Sequence, residues 1–198
     1  ERVYSEPPLI KNKYITFGSF NSFRKINDEV INVWSDILKA IPHSKLILKS
    51  SSALSNNVIS EKFKKKNILP SVKFEPYVSD FNSHLMDYKK IDIALDTFPY
   101  PGVTTSFEAI WMGVPVLTMK GFNFISRCGE SINKNLEMEN LIFKNNQDYI
   151  KETCKIASDK EILLKIRDKI FKTALSSALF DTQDFSHQFF KSLKKLLK

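Results

Sequence analysis

Gly102, Thr104, Thr105 and Glu108 are the residues of this 198-residue chain whose types and spacing best suit an anion. Before them, residues 91–95 (Ile-Asp-Ile-Ala-Leu) form a short, mostly apolar run that reads as a buried strand ending at Asp96. After them, Phe107, Ile110 and Trp111 recur at helical spacing, while Pro99, Pro101, Gly102 and Pro115 punctuate the segment, so the chain turns from a strand end into a helix start. The first N–H groups of a helix lack internal partners and stand at the positive end of its dipole. Hydroxyls on Thr104 and Thr105 would add donors there, and Gly102 would let a ligand come close to the backbone; a phosphate fits such a corner. Thr105 and Glu108 also have the spacing of a capping box, in which Thr105 caps the helix and Glu108 reaches back to the N–H of the cap residue. Spacing alone leaves both readings open.

The elements that must position this corner can be read in order. Residues 1–13, with Pro7-Pro8 and no periodicity, read as an extended linker entering from something upstream, so Glu1 is not expected to be a natural start. Residues 14–20 have strand composition, and Asn27 can cap a helix in which Val30, Ile31, Trp34, Ile37 and Leu38 share a face until Pro42. Residues 45–49 form a second strand, followed by a polar connection over 50–57 and a lysine-rich helix ending near Asn67. Residues 72–75 form a third strand, and Asp80 opens a helix with Phe81, His84, Leu85 and Tyr88 on one face. Residues 114–119 make the last strand. Beyond Met119 nothing reads as a strand, and helices are expected over 122–133, 147–157, 160–172 and 184–198.

Strands alternating with helices call for an α/β fold, a Rossmann-like parallel sheet with helices on both faces and a helical C-terminal segment. The division expected is a linker over 1–13, a Rossmann-like ligand-binding domain over 14–180, and an amphipathic helix over 181–198 packing on that domain through Phe185, Phe189, Phe190, Leu193 and Leu197. In such a sheet ligands bind at the carboxyl ends of the strands. Ser22 and Lys25 follow the first strand, residues 77–84 the third, and Thr104, Thr105 and Glu108 the fourth, so loops from distant parts of the chain could line one crevice. GxGxxG and GxxxxGK[ST] are both absent, so neither a dinucleotide dehydrogenase nor a P-loop nucleotidase is supported, while a helix N-terminus plus one lysine could still hold a nucleotide diphosphate.

Composition narrows the class further. The chain is 42% hydrophobic and 26% charged, ordinary for a globular domain. Its net charge of +8 is carried mostly by lysine in runs such as residues 62–66 and 191–198, which reads as a solvated surface. Nucleic-acid modules are absent, and neither nucleic-acid binding nor membrane insertion is expected. Cys128 and Cys154 lack metal-site or disulfide spacing and read as free thiols, so no metal is expected. The opening residues are not signal-like, and a cytoplasmic location is expected.

Several motifs taken together carry a family resemblance: residues 15–21 (Ile-Thr-Phe-Gly-Ser-Phe-Asn), Lys25-Ile26-Asn27, Leu95-Asp96-Thr97, Thr104-Thr105 through residues 108–116, Ser126-Arg127, and residues 177–181. The chain from about Tyr14 to its end resembles the C-terminal catalytic half of the O-linked N-acetylglucosamine transferase and SPINDLY family. The resemblance implies half of a GT-B glycosyltransferase, inverting and metal-independent, bacterial in type, whose other half and tetratricopeptide repeats belong to the same polypeptide. It implies no cofactor, a protein acceptor modified on Ser or Thr, and a nucleotide diphosphate sugar as donor: UDP-N-acetylglucosamine first, GDP-fucose as the alternative because SPINDLY-type members use it.

By position, the resemblance implies that Lys25 pairs with the donor diphosphate, with Ser22 near it. Thr104 and Thr105 give N–H groups and hydroxyls to the same phosphates. Glu108 accepts the ribose hydroxyls, His84 lies against the base, and the backbone of Val78 and Ser79 reads its edge. A lysine and a helix N-terminus facing the diphosphate would stabilise the charge that grows on it as it leaves. Animal members carry a histidine where Val103 stands, which puts the phosphate contacts in question. No general base is assigned, since it is expected in the other half, and this chain alone is expected to bind nucleotide weakly and transfer nothing. Apart from the resemblance, Lys25 also reads as a solvated loop lysine, His84 as a half-buried structural histidine, and the whole as a degenerate binding or scaffold module.

Overall fold

A computed structural model of the chain describes residues 2, 4–50 and 52–197. In chain order the elements are α1 (Pro8–Asn12), β1 (Thr16–Ser19), α2 (Asp28–Ala40), β2 (Lys45–Ser50), α3 (Ala53–Lys65), β3 (Val72–Pro76), α4 (Phe81–Met86), β4 (Ile93–Leu95), α5 (Thr104–Trp111), β5 (Val116–Met119), α6 (Cys128–Asn135), β6 (Ile142–Phe143), α7 (Asn146–Ser158), α8 (Lys160–Thr173) and α9 (Thr182–Leu196). The strands form one six-stranded sheet in the order β3-β2-β1-β4-β5-β6, and every pairing is parallel. This is the Rossmann-like arrangement the alternating pattern calls for. The order reverses between β1 and β4, where Phe17 pairs with Ile93 and Gly18 with Ala94, and connections leaving these two strands diverge to open a crevice at their carboxyl ends.

The central strands are short and apolar because both of their faces are covered: β1 and β4 are buried along their whole length. Helix α2 starts where the Asn27 side chain accepts the Val30 N–H at 2.9 Å, with Asp28 and Glu29 in its first turn to complement the dipole. It buries Val30, Ile31, Val33, Trp34, Ile37 and Leu38. Each such large apolar side chain contributes about 1.5–3 kcal/mol. Helix α2 packs on α3 and α7, and α5 on α6 and α8. Gly113, at φ +73°, ends α5: its N–H bonds to Ile110 O and that of Val114 to Ala109 O, which turns the chain into β5.

Three expectations need correction, one open reading is decided, and one strand was missed. Within residues 1–13, Pro8–Asn12 forms a helical turn rather than an extended segment; the Leu9 N–H bonds to Asp92 Oδ1 at 2.9 Å, and the Arg2 guanidinium donates to the carbonyls of Ile110, Trp111 and Phe171. The helix expected over 122–133 begins only at Cys128, after a 3-10 turn at Ile125–Arg127, because the Ser126 and Asn123 side chains tie that stretch into a turn. Helix α5 has Val103 as its cap residue with no side-chain bond, so Thr105 and Glu108 do not form a capping box. Helix α9 exposes every one of its residues, Phe185, Phe189 and Phe190 included, so its apolar face does not pack on the domain. The missed strand is β6, just Ile142–Phe143. Glu1, Val3, Ser51 and Lys198, parts of the expected linker, polar connection and last helix, lie outside the described residues.

Candidate functional site

The loop between β4 and α5 is built around Asp96, which is buried at the carboxyl end of β4. Its Oδ1 accepts the N–H of Gly102 at 2.7 Å and of Thr97 at 2.9 Å, and its Oδ2 accepts the Thr118 hydroxyl at 2.7 Å. Burial pushes this carboxyl up to about 6, against the pull of those donors and of the Lys25 charge. The loop is thereby closed on itself, and it delivers α5 with the backbone N–H groups of Thr104 and Thr105 outside every described hydrogen bond.

Lys25 reaches the same loop from the 3-10 turn Phe23–Lys25 after β1. Its ammonium donates to Pro101 O at 2.8 Å and sits 4.2 Å from the centre of the Tyr100 ring. Burial pulls its pKa down, with Asp96 opposing. Gly102 differs from expectation. A Cβ there would meet Thr105 Oγ1 at 2.5 Å, Ser106 Oγ at 2.7 Å and Asn21 Oδ1 at 3.0 Å. What comes close to this backbone is the chain's own polar side chains, and its N–H is already bonded to Asp96, so Gly102 shapes the loop and offers no donor to a ligand.

Beside the loop a cleft of about 930 Å3 opens along the carboxyl edge, lined among others by Ser22, Val78, Ser79, His84, Thr105 and Glu108. These six sequence-nominated residues come from the connections after β1, β3 and β4, as the parallel order requires. Lys25, Gly102 and Thr104 lie outside the cleft wall, on the adjoining loop and the exposed start of α5.

At the inner end of the cleft, His84 Nε2 is 3.0 Å from Glu108 Oε2, and the Tyr88 hydroxyl reaches the same oxygen at 2.9 Å and Thr105 O at 3.0 Å. Burial, then the Glu108 charge, raises the Tyr88 pKa well above its ordinary value, so Tyr88 stays a donor. Lys49 lies behind the imidazole, with Nζ 2.7 Å from His84 Nδ1 and 2.6 Å from Asp87 Oδ2. Against the cost of burial, hydrogen bonds from Lys49 and Lys90 hold the Asp87 carboxyl below its usual value. Thr105 Oγ1 donates to Asn21 Oδ1 at 2.9 Å. Sequence reasoning missed Asn21, Lys49, Tyr88 and Asp96 as parts of this corner. Asn21 and Asp96 stood inside recognised motifs, whereas Lys49 looked like the charged flank of a strand.

Among the described residues no group of three or more His, Cys, Asp or Glu could hold a metal ion, and no helix is long and apolar enough to cross a membrane. Cys128 and Cys154 are free thiols. Residues 7–189 match glycosyl transferase family 41. The chain belongs to that family.

Among its family 41 relatives is the tomato (Solanum lycopersicum) protein named as the probable UDP-N-acetylglucosamine–peptide N-acetylglucosaminyltransferase SPINDLY. It is 36% identical over 186 residues, which cover 90% of this chain and 20% of the tomato protein. The Caenorhabditis elegans UDP-N-acetylglucosamine–peptide N-acetylglucosaminyltransferase is 28% identical over 173 residues, 87% of this chain and 15% of that protein. The chain thus spans about a fifth or less of these curated relatives. A solved mutant of the Thermobaculum terrenum O-GlcNAc transferase superposes with a TM-score of 0.90 at 25% identity, covering 98% of this chain and 37% of that one. The family and the GT-B type of fold that the sequence motifs suggest are the ones found.

Proposed function

We propose that this family 41 chain is the donor-binding part of a protein O-glycosyltransferase, which transfers N-acetylglucosamine or a similar sugar from a nucleotide diphosphate to Ser or Thr of a protein. The observation that carries the reading is the convergence at one sheet edge of unbonded N–H groups at the start of α5, the Lys25 ammonium on the loop leading into it, and an adjoining cleft with a carboxylate at its inner end. A pyrophosphate suits the first two and a nucleoside the third. In this reading the N–H groups of Thr104 and Thr105, their hydroxyls and Lys25 face the diphosphate, with Ser22 alongside. Glu108 accepts from the ribose, His84 lies against the base, and the Val78 and Ser79 backbone reads the base edge.

Transfer places growing negative charge on the departing diphosphate. Donors fixed in place before the reaction stabilise that charge without reorganising, and each such donor is worth roughly 3–4 kcal/mol of barrier in comparable sites. Val103, the exposed cap residue of α5, has no side-chain donor to add. UDP-N-acetylglucosamine is the favoured donor, in line with the names of the relatives, and GDP-fucose is the alternative. The base that activates the acceptor hydroxyl, the acceptor site and any repeat segment are assigned to polypeptide outside this chain. The setting proposed is bacterial and cytoplasmic.

The test is calorimetric titration of the chain with uridine and guanosine diphosphates, repeated on Lys25→Ala. Binding of one nucleotide that Lys25→Ala weakens about tenfold or more is expected, the size of a lost charge-assisted contact. Failure of both nucleotides to bind would return the site to a degenerate scaffold.

A further inference from the structure

Lys49 stands out among the buried charges of the cleft wall because its ammonium is held between a carboxylate and the ring of another wall residue. It is the penultimate residue of β2, its side chain is 3% exposed, and its Nζ lies between Asp87 Oδ2 at 2.6 Å and His84 Nδ1 at 2.7 Å. An ammonium has donors only. His84 Nδ1 must therefore be the acceptor, since a hydrogen on it would point at the N–H groups of Lys49. The ring proton is then on Nε2, which donates to Glu108 Oε2 at 3.0 Å. With the Tyr88 hydroxyl on that same oxygen, Glu108 Oε1 is left without a partner among the described residues, on a side chain that lines the cleft.

We propose that Lys49 is a positioning residue for the nucleoside end of the cleft. Its ammonium holds His84 as the neutral Nε2–H tautomer, and through His84 it keeps Glu108 aimed with one free carboxylate oxygen toward the ligand. The proposal rests on the nucleotide-binding reading for its use, though not for its chemistry. The charged and titratable groups facing the ring are Lys49, Glu108, Tyr88 and Tyr77, with Asp87 and Lys90 behind Lys49. The Lys49 ammonium, 2.7 Å from Nδ1, occupies the side of the ring where a proton on that nitrogen would sit, so the ring donates only through Nε2 and Glu108 keeps Oε1 for a ligand hydroxyl.

The test is nitrogen-15 NMR of the histidine rings in the 198-residue chain at neutral pH without nucleotide, with His84→Gln used to assign His84 among the three histidines. Expected in wild type is an unprotonated Nδ1 and a protonated Nε2. Lys49→Met should give a tautomer mixture or a cation, while Lys90→Ala, which removes the other cation on Asp87, should leave the ring unchanged. In parallel titrations with uridine and guanosine diphosphates, Lys49→Met should weaken binding roughly threefold to tenfold, the worth of one hydrogen bond made less well, and Lys90→Ala by less than about twofold. A wild-type His84 carrying its proton on Nδ1 or on both nitrogens overturns the proposal, as does a Lys49→Met ring spectrum identical to wild type. The wild-type spectrum needs no variant, so a Lys49→Met chain that fails to fold does not shelter the idea. Absence of nucleotide binding by wild type would sink the functional reading separately, with the ring spectra still deciding what Lys49 does.

Discussion

The Asp96 carboxylate and the Gly102 amide face each other at 2.7 Å across the loop joining β4 to α5, and that contact sets where the helix begins. Buried as it is, Asp96 takes up a proton more readily in the folded chain, its carboxyl raised from 3.8 to about 6. Between about pH 4 and about pH 6 the folded state binds more protons than the unfolded one, so this group makes stability fall as pH rises through that window and level off above it. Asp96→Asn should remove a slope of about 3 kcal/mol across the interval. Urea unfolding of both chains from pH 4 to 8 checks it, and parallel curves would refute it.

Gly102→Ala should lower stability by about 1–3 kcal/mol, since the new methyl must displace Thr105 Oγ1, Ser106 Oγ and Asn21 Oδ1. Thermal unfolding measures the loss. An unchanged melting temperature would mean that those three side chains step aside freely.

Glu108 and a ribose hydroxyl should be energetically coupled. Replacing a nucleoside diphosphate by its 2′-deoxy form should weaken binding to wild type about fivefold to tenfold, and binding to Glu108→Gln by much less. Additive losses in this cycle of variant and ligand would place the ribose elsewhere.

Glu130 governs the acid side of the stability profile. Arg127, at 2.8 Å, does most to hold its carboxyl down, at about 2, against the opposing cost of burial and with Lys134 and Lys120 adding to it. A depressed carboxyl contributes stability that is complete above its ordinary value of 4.5 and is lost as pH falls toward about 2. Glu130→Gln should therefore be less stable than wild type at pH 7 and lose the difference on acidification, a convergence that unfolding curves between pH 2 and 7 would reveal.

Phe189→Asp, on the exposed helix α9, should change unfolding free energy by no more than about 0.5 kcal/mol, as expected of a surface position. A loss of several kcal/mol in chemical denaturation would show that the helix packs after all.

The sheet was legible because its strands are short apolar runs between turn residues, and Asn27 and Asp80 do cap the helices they were expected to open. Strand β6 was not, since Ile142–Phe143 is too short to show any period and exists only by pairing with Thr118 and Met119. Thr105 and Glu108 illustrate an ambiguity of spacing: residues three apart share a helix face, so one pattern serves a cap or a pocket wall, and only the partners Asn21, His84 and Tyr88 separate the two. Helix α9 shows the converse. Its periodicity reveals an apolar side and says nothing of what lies against it. Lys49 was invisible for a different reason: the face a strand residue presents depends on register, and its contact with His84 spans 35 positions of sequence.

The partnership of β1 with β4 brings Phe17 against Ile93 with three-eighths of the polypeptide lying between them. Joining them costs chain entropy before any contact repays it, and of the five strand pairings this one spans the most sequence. Neither the stretch ending at β3 nor the stretch starting at β4 owns the crevice. A compound that occupies it therefore recognises only the finished molecule, and by mass action it should raise the midpoint of unfolding in proportion to the logarithm of its concentration.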